Sequence, residues 1–206
     1  MLTLNDKSKE LLANLDSLNT FYLENKDEHL EKHDDFYIDH ILIATYLSLY
    51  EAPLPQLNKV YIKKSNIEGL GVFALDHIKK GEIVSLYPSD IVRLYHGNEY
   101  YQVCTDHAKV EVNPKYAYKI NDYCTIIADS QCHDMNLAGH IINDSVKLES
   151  DQYQLYHDLS QEKRNCLYYP YHLFILIVAS KDICKDEELL VSYGVPYWYV
   201  LNSSSL

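Results

Sequence analysis

Positive charge is scarce in this 206-residue chain: 18 Lys and Arg stand against 30 Asp and Glu, for a formal net charge of −12. Phosphate contacts need clustered Lys and Arg, so direct nucleic-acid binding is not expected. The acidity suits a basic peptide partner as well as it suits ordinary solubility. Paired cysteine is lacking too. The five Cys, at positions 104, 124, 132, 166 and 184, are an odd number with no Cys-x-x-Cys. That argues against a disulfide framework and for reduced thiols in an intracellular protein. Cys124, Cys132, His133 and His140 match no common zinc spacing, so no metal is expected. Cys166 with His172 lacks the glycine turn that a nucleophilic hydrolase would use for its oxyanion. Long apolar runs are missing as well: those at 41–50 and 173–179 are too short to span a bilayer. No signal peptide is expected from the polar, acidic residues near the start. These absences lead to the expectation of a soluble, intracellular protein, nuclear or cytoplasmic.

What is present is a core. Hydrophobic residues make up 47% of the chain and Tyr alone accounts for 20 positions, enough for one domain with an appendage. Residues 1–55 differ from the rest. Leu11, Leu12, Leu15, Leu18 and Phe21 follow helical spacing, as do Ile38, Ile41, Leu42, Thr45, Tyr46 and Leu49. Pro53 and Pro55 end the second helix. With 4 Lys and 11 Asp or Glu, this segment holds −7 of the −12. It is expected to be an acidic helical segment packed on or flanking the core at 56–206, or a partner-facing surface. From Val60 short strands dominate, expected at 60–64, 72–74, 83–87, 116–120, 124–128, 173–180 and 189–192. Between them, about 91–115 and 146–170 read as variable insertions holding short helices.

The most informative stretch is Glu187-Glu188-Leu189-Leu190-Val191-Ser192-Tyr193-Gly194-Val195-Pro196-Tyr197-Trp198. An apolar strand runs into Tyr-Gly, where Gly allows a turn at positive φ. Such a turn leaves the Tyr193 hydroxyl and the next two aromatics facing one pocket. Upstream, Gly69-Leu70-Gly71-Val72-Phe73-Ala74 is followed by Ile78-Lys79-Lys80-Gly81-Glu82-Ile83-Val84. A glycine pair before a strand admits backbone to a place that a Cβ would deny. Between the two lies Gly139-His140-Ile141-Ile142-Asn143-Asp144-Ser145.

In this order the three elements closely resemble the motifs of SET-domain protein lysine methyltransferases, over about 60–199. The resemblance implies a mostly β fold with peripheral helices: the SET-type β-clip with a pseudoknot, here preceded by the helical segment. It implies a short form without the C-terminal zinc cluster, because no Cys follows Trp198. His140 stands where the family usually has Arg, Asp144 where it has His, and Asn165 is the nearest match to a second family Asn. The implied cofactor is S-adenosylmethionine, held by Gly69, Leu70, Gly71, His140, Asn143, Tyr193 and Trp198. Tyr193 and Tyr197 are the implied catalytic residues. Tyr116 and Tyr118, on one face of a strand by its period of two, join Tyr197 as candidates for the lysine channel. The implied reaction is methyl transfer to a lysine amine of a basic protein substrate, a histone tail above all, as in a chromatin regulator. The alternative is an inactive SET-like module that binds a basic peptide or partner protein.

Overall fold

A computed structural model of the chain describes residues 57–96, 99–104, 113–120, 124–128, 135–148, 152–171 and 174–203. The acidic segment at 1–55 lies outside them. The described part is mostly β with peripheral helices. Strands β1 (Val60–Lys64) and β2 (Leu70–Ala74) form an antiparallel hairpin. Strand β3 (Ile83–Leu86) leads to β4 (Ile91–His96), β5 (Glu99–Cys104), β6 (Ala117–Lys119) and β7 (Cys124–Ile127), and these last four pair in the order β5-β4-β7-β6. Strand β8 (Asn143–Asp144) comes next, then helix α1 (Tyr153–Lys163), β9 (Cys166–Tyr171) and β10 (Phe174–Ala179). Strand β11 (Leu190–Val191) and helix α2 (Val195–Ser203) follow.

Strand β10 is the centre of a three-stranded antiparallel sheet, between β3 and β9. Its residues Ile175, Leu176, Ile177, Val178 and Ala179 are fully buried. Ile175, Leu176 and Val178 enter one apolar cluster with Ile83, Val92 and Ile126; Ile177 and Ala179 enter another with Val72, Ile142, Leu189 and Val191. One strand therefore joins the two halves of the core. An uninterrupted apolar run is what a strand buried on both faces requires.

The chain from Glu187 to Val191 is held on two sides. On one, Ala74 donates its N–H to the Glu187 carbonyl and Leu189 donates to the Val72 carbonyl, which adds the segment to β2. On the other, β11 pairs in parallel with β8, Leu190 beside Asn143 and Val191 beside Asp144. This inward passage gives the β-clip its pseudoknot. Asn165 locks it, with its Nδ2 donating to the Glu188 carbonyl at 2.8 Å and to Glu187 Oε1 at 3.0 Å. Its Oδ1 accepts the Leu190 N–H at 2.7 Å.

Three expectations about local structure change. The described part of 91–115 is a strand hairpin rather than short helices, with β4 paired to both β5 and β7. Tyr116 ends a 3-10 turn, Pro114–Tyr116, ahead of β6, so the strand period that put Tyr116 and Tyr118 on one face does not reach Tyr116. The insertion at 146–170 does hold a helix, α1, but ends in β9, a strand masked in the sequence by Pro170. β9 lies at the edge of its sheet, where proline is tolerated. No described helix is long and apolar enough to cross a membrane.

Replacing Asn165 by Ala strands the Leu190 N–H and the Glu188 carbonyl in a site that is 4% exposed. The Asn165→Ala protein is expected to lose roughly 2–4 kcal/mol of stability, measured as a lower urea midpoint at unchanged m.

Candidate active site

The motifs that lie apart in sequence meet around a cavity of about 410 Å³. The loop before β2 supplies Ile67, Glu68, Gly69 and Leu70; the β8 region supplies His140, Ile141, Asn143 and Asp144. Tyr193, Tyr197 and Trp198 close the far wall, with Lys115, Tyr116 and Lys147 completing the lining.

Gly194 sits at φ +85°, a left-handed backbone that a Cβ disfavours. The chain turns there into α2, which places Tyr197 and Trp198 over Tyr193. The Tyr193 and Tyr197 rings meet edge to face at 4.7 Å, Tyr197 and Trp198 at 5.4 Å, and Tyr193 and Trp198 stack at 6.3 Å. The Tyr193 hydroxyl donates to the Ile142 carbonyl at 2.8 Å. Burial, with Tyr197 and Asp144 close by, pushes the Tyr193 phenol well above its ordinary range. Burial and Glu68 push Tyr197 up to about 12. Both hydroxyls stay neutral.

Asn143 ties three elements together. Its Nδ2 donates to the carbonyls of Glu68 and Leu70 at 3.2 and 3.1 Å and to Glu188 Oε1 at 3.0 Å. All three partners are acceptors, which settles the amide orientation and leaves its carbonyl oxygen without a partner among the described residues. Glu188 reaches this position because Gly71 lacks a side chain: a Cβ there would stand 2.3 Å from Glu188 Oε1. Gly71 is buried and does not line the cavity. The close approach it permits is to protein.

Tyr116 reaches the cavity, its ring edge-on to His140 at 5.8 Å. Tyr118 does not. It packs instead against Tyr168 and Tyr87, at 5.2 and 5.7 Å, within the core cluster. His140 is buried, its Nδ1–H donating to the Leu137 carbonyl at 3.2 Å. It also lines the cavity.

Two buried groups escaped the sequence reading. Asp144 Oδ2 accepts from the Tyr156 hydroxyl at 2.6 Å, the Trp198 indole N–H at 2.8 Å and the Tyr193 N–H at 3.1 Å. Oδ1 takes the Val146 N–H at 3.1 Å. Burial raises the Asp144 pKa, and these donors oppose the rise without cancelling it. The departure from the family pattern at Asp144 was a signal that pointed here. Tyr156 lies in the inserted helix, and nothing local marks it.

A family model described as the SET domain matches residues 69–194. The chain belongs to the SET-domain family. Members of this class are S-adenosylmethionine-dependent protein lysine methyltransferases. A comparison with curated proteins finds no match. Among solved structures, the chain is similar to a Plasmodium falciparum protein described as a candidate histone methyltransferase. The two are 25% identical, over 68% of this chain and 96% of that one, with a TM-score of 0.39.

The cavity fits the family's cofactor in size and chemistry. Its volume is that of an ordinary small-molecule site. Ile67, Leu70 and Trp198 offer apolar surface for a nucleoside, the Asn143 oxygen can accept from a cationic group, and Lys147 suits a carboxylate. Among the described residues no group of His, Cys, Asp and Glu is arranged to hold a metal.

Gly71→Ala drives a methyl into Glu188 Oε1 and, at 3.0 Å, the Ser65 Cβ. It is expected to displace Glu188 from Asn143 and cost about 1–3 kcal/mol, read as a lower urea midpoint.

Proposed function

We propose that this chain transfers a methyl group from S-adenosylmethionine to the side-chain amine of a lysine in a protein substrate, with a histone tail as the first substrate to test. The observation that carries this reading is the convergence of Tyr193, Tyr197 and Trp198 with Asn143 on one cavity, the Tyr193 hydroxyl held on the Ile142 carbonyl.

When bound, the cofactor supplies an electrophilic methyl on a cationic sulfur and leaves as a neutral thioether. No residue need protonate the leaving group. The chain has two other tasks. A lysine amine must enter neutral despite a reference pKa of about 10.4, and it must align with the methyl. Walls of Tyr193, Tyr197 and Tyr116 exclude water, and burial disfavours the ammonium form. The same ring faces tolerate the cations on either side of the reaction. Tyr193 keeps its own proton, so it orients the amine rather than accepting the amine's proton, which leaves to solvent before attack. Gly69 and Leu70 on one wall, and Asn143, His140 and Trp198 on the other, are the residues proposed to hold the cofactor. The formal net charge of −12 favours a basic substrate segment.

Tyr193→Phe should keep the fold and most cofactor affinity, while activity falls roughly 10²-fold, about 2.7 kcal/mol of transition-state stabilisation. Asn143→Ala should instead weaken cofactor binding, read by calorimetry. Full turnover by Tyr193→Phe would remove the hydroxyl from the mechanism. A wild type that binds no cofactor and methylates neither histones nor a peptide array would define the chain as a peptide-binding module.

The pH profile offers a separate check. A raised phenol pKa means that the neutral hydroxyl persists as pH climbs past the ordinary Tyr value of about 10. Between about pH 8 and pH 10 the rate should rise or level with amine deprotonation. A falling limb there, abolished by Tyr193→Phe, would contradict a neutral Tyr193.

A further inference from the structure

Helix α1 lies outside the sheets, yet it sends one buried side chain into the turn that presents Tyr193. Tyr156 is 3% exposed, and its ring packs in a small cluster with Leu148 and Trp198. Its hydroxyl donates to Asp144 Oδ2 at 2.6 Å and accepts the Gly194 N–H at 2.9 Å. The Ser192 hydroxyl lies 3.2 Å away. Asp144 in turn takes the Tyr193 N–H. The two successive N–H groups of Tyr193 and Gly194 are therefore held by this one pair of side chains, at the residue where φ turns positive. Burial and the bond to Asp144 push Tyr156 up to about 12, so it keeps its proton and the directions of these bonds are fixed. The short O–H···O contact has the length expected when the acceptor is a carboxylate.

We propose that Tyr156 is a positioning residue for methyl transfer: through Asp144 and the Gly194 amide, its hydroxyl fixes the Tyr193–Gly194 turn and so the place of the Tyr193 ring in the cavity. This deepens the proposed function and rests on it. Ring and hydroxyl do separable jobs. The ring fills space beside Trp198, which Phe would fill equally, whereas the hydroxyl touches only the turn, Ser192 and the carboxylate that holds the turn.

Tyr156→Phe in the full chain tests this with three readouts. The kcat on whichever lysine substrate the wild type accepts should fall by about tenfold, equivalent to ~1.4 kcal/mol. Peptide KM and S-adenosylmethionine affinity should each change by less than about twofold, since no group in contact with either ligand is removed. Trp198, the single Trp of the chain, should change its fluorescence emission because its indole N–H shares the Asp144 oxygen with Tyr156. A merely structural role predicts a lower Tm with wild-type kcat and emission at a temperature where both proteins are folded, and that result overturns the proposal. Should Tyr156→Phe not fold, Asp144→Asn serves in its place: it keeps one acceptor oxygen of the pair, and unchanged kcat and emission again overturn the proposal. A wild type that binds no S-adenosylmethionine overturns the proposed function and this inference with it; an active wild type matched by Tyr156→Phe overturns this inference alone.

Discussion

The segment at 187–191 has hydrogen bonds along both of its edges, and the rest of the site follows from that. A strand whose two edges are paired cannot slide without breaking ladders on both sides. Its bonds to Val72 and Ala74 set the height of the glycine loop, and its parallel pairing with Asn143–Asp144 sets the position of the opposite wall. Buried backbone must find partners somewhere, and here the partners are the very elements that bound the cavity. Asn165 reinforces the lock by bonding to main chain and side chain of the same segment, so the sheet and the pocket share one set of contacts.

Carboxylates, not cations, organise the polar side of this site. Glu188 accepts from Asn143, and Asp144 accepts from two side chains and two backbone amides. Burying a carboxylate is unfavourable unless its lone pairs are filled. Asp144 meets that condition by drawing donors from α1, from the Tyr193 turn and from α2, which makes one residue the point where three elements agree on their placement. A histidine at this position would present one acceptor at most, and could not receive all of these donors together.

Backbone-driven features were legible in sequence; partnerships across distance were not. Tyr-Gly after an apolar strand announces a positive φ, and Gly194 adopts it. The glycine pair announces a close approach, but residue types alone do not say to what: at Gly71 the neighbour is Glu188. Tyr116 and Tyr118 look equivalent under a strand period, and a single 3-10 turn separates their fates. Strand β9 is hidden by Pro170 because only the sheet order reveals it as an edge. Tyr156 illustrates the limit. Its role depends on an Asp twelve positions away and on a glycine amide 38 positions away, and no local pattern links them.

The pairing of late residues with early ones bears on when the site comes into being. Tyr61 meets Asp186 across 125 positions, and the cavity has no far wall until Trp198 joins it. During synthesis, a nascent chain that has emerged through β10 can form hairpins and much of the core, but Leu189, Val191 and Trp198 are missing from the clusters they complete. Contacts of such long sequence separation are slow to form. The apolar faces that await them stay open in the interval, so the stage at which this chain most needs shielding from aggregation is the one before the Tyr193–Trp198 segment arrives.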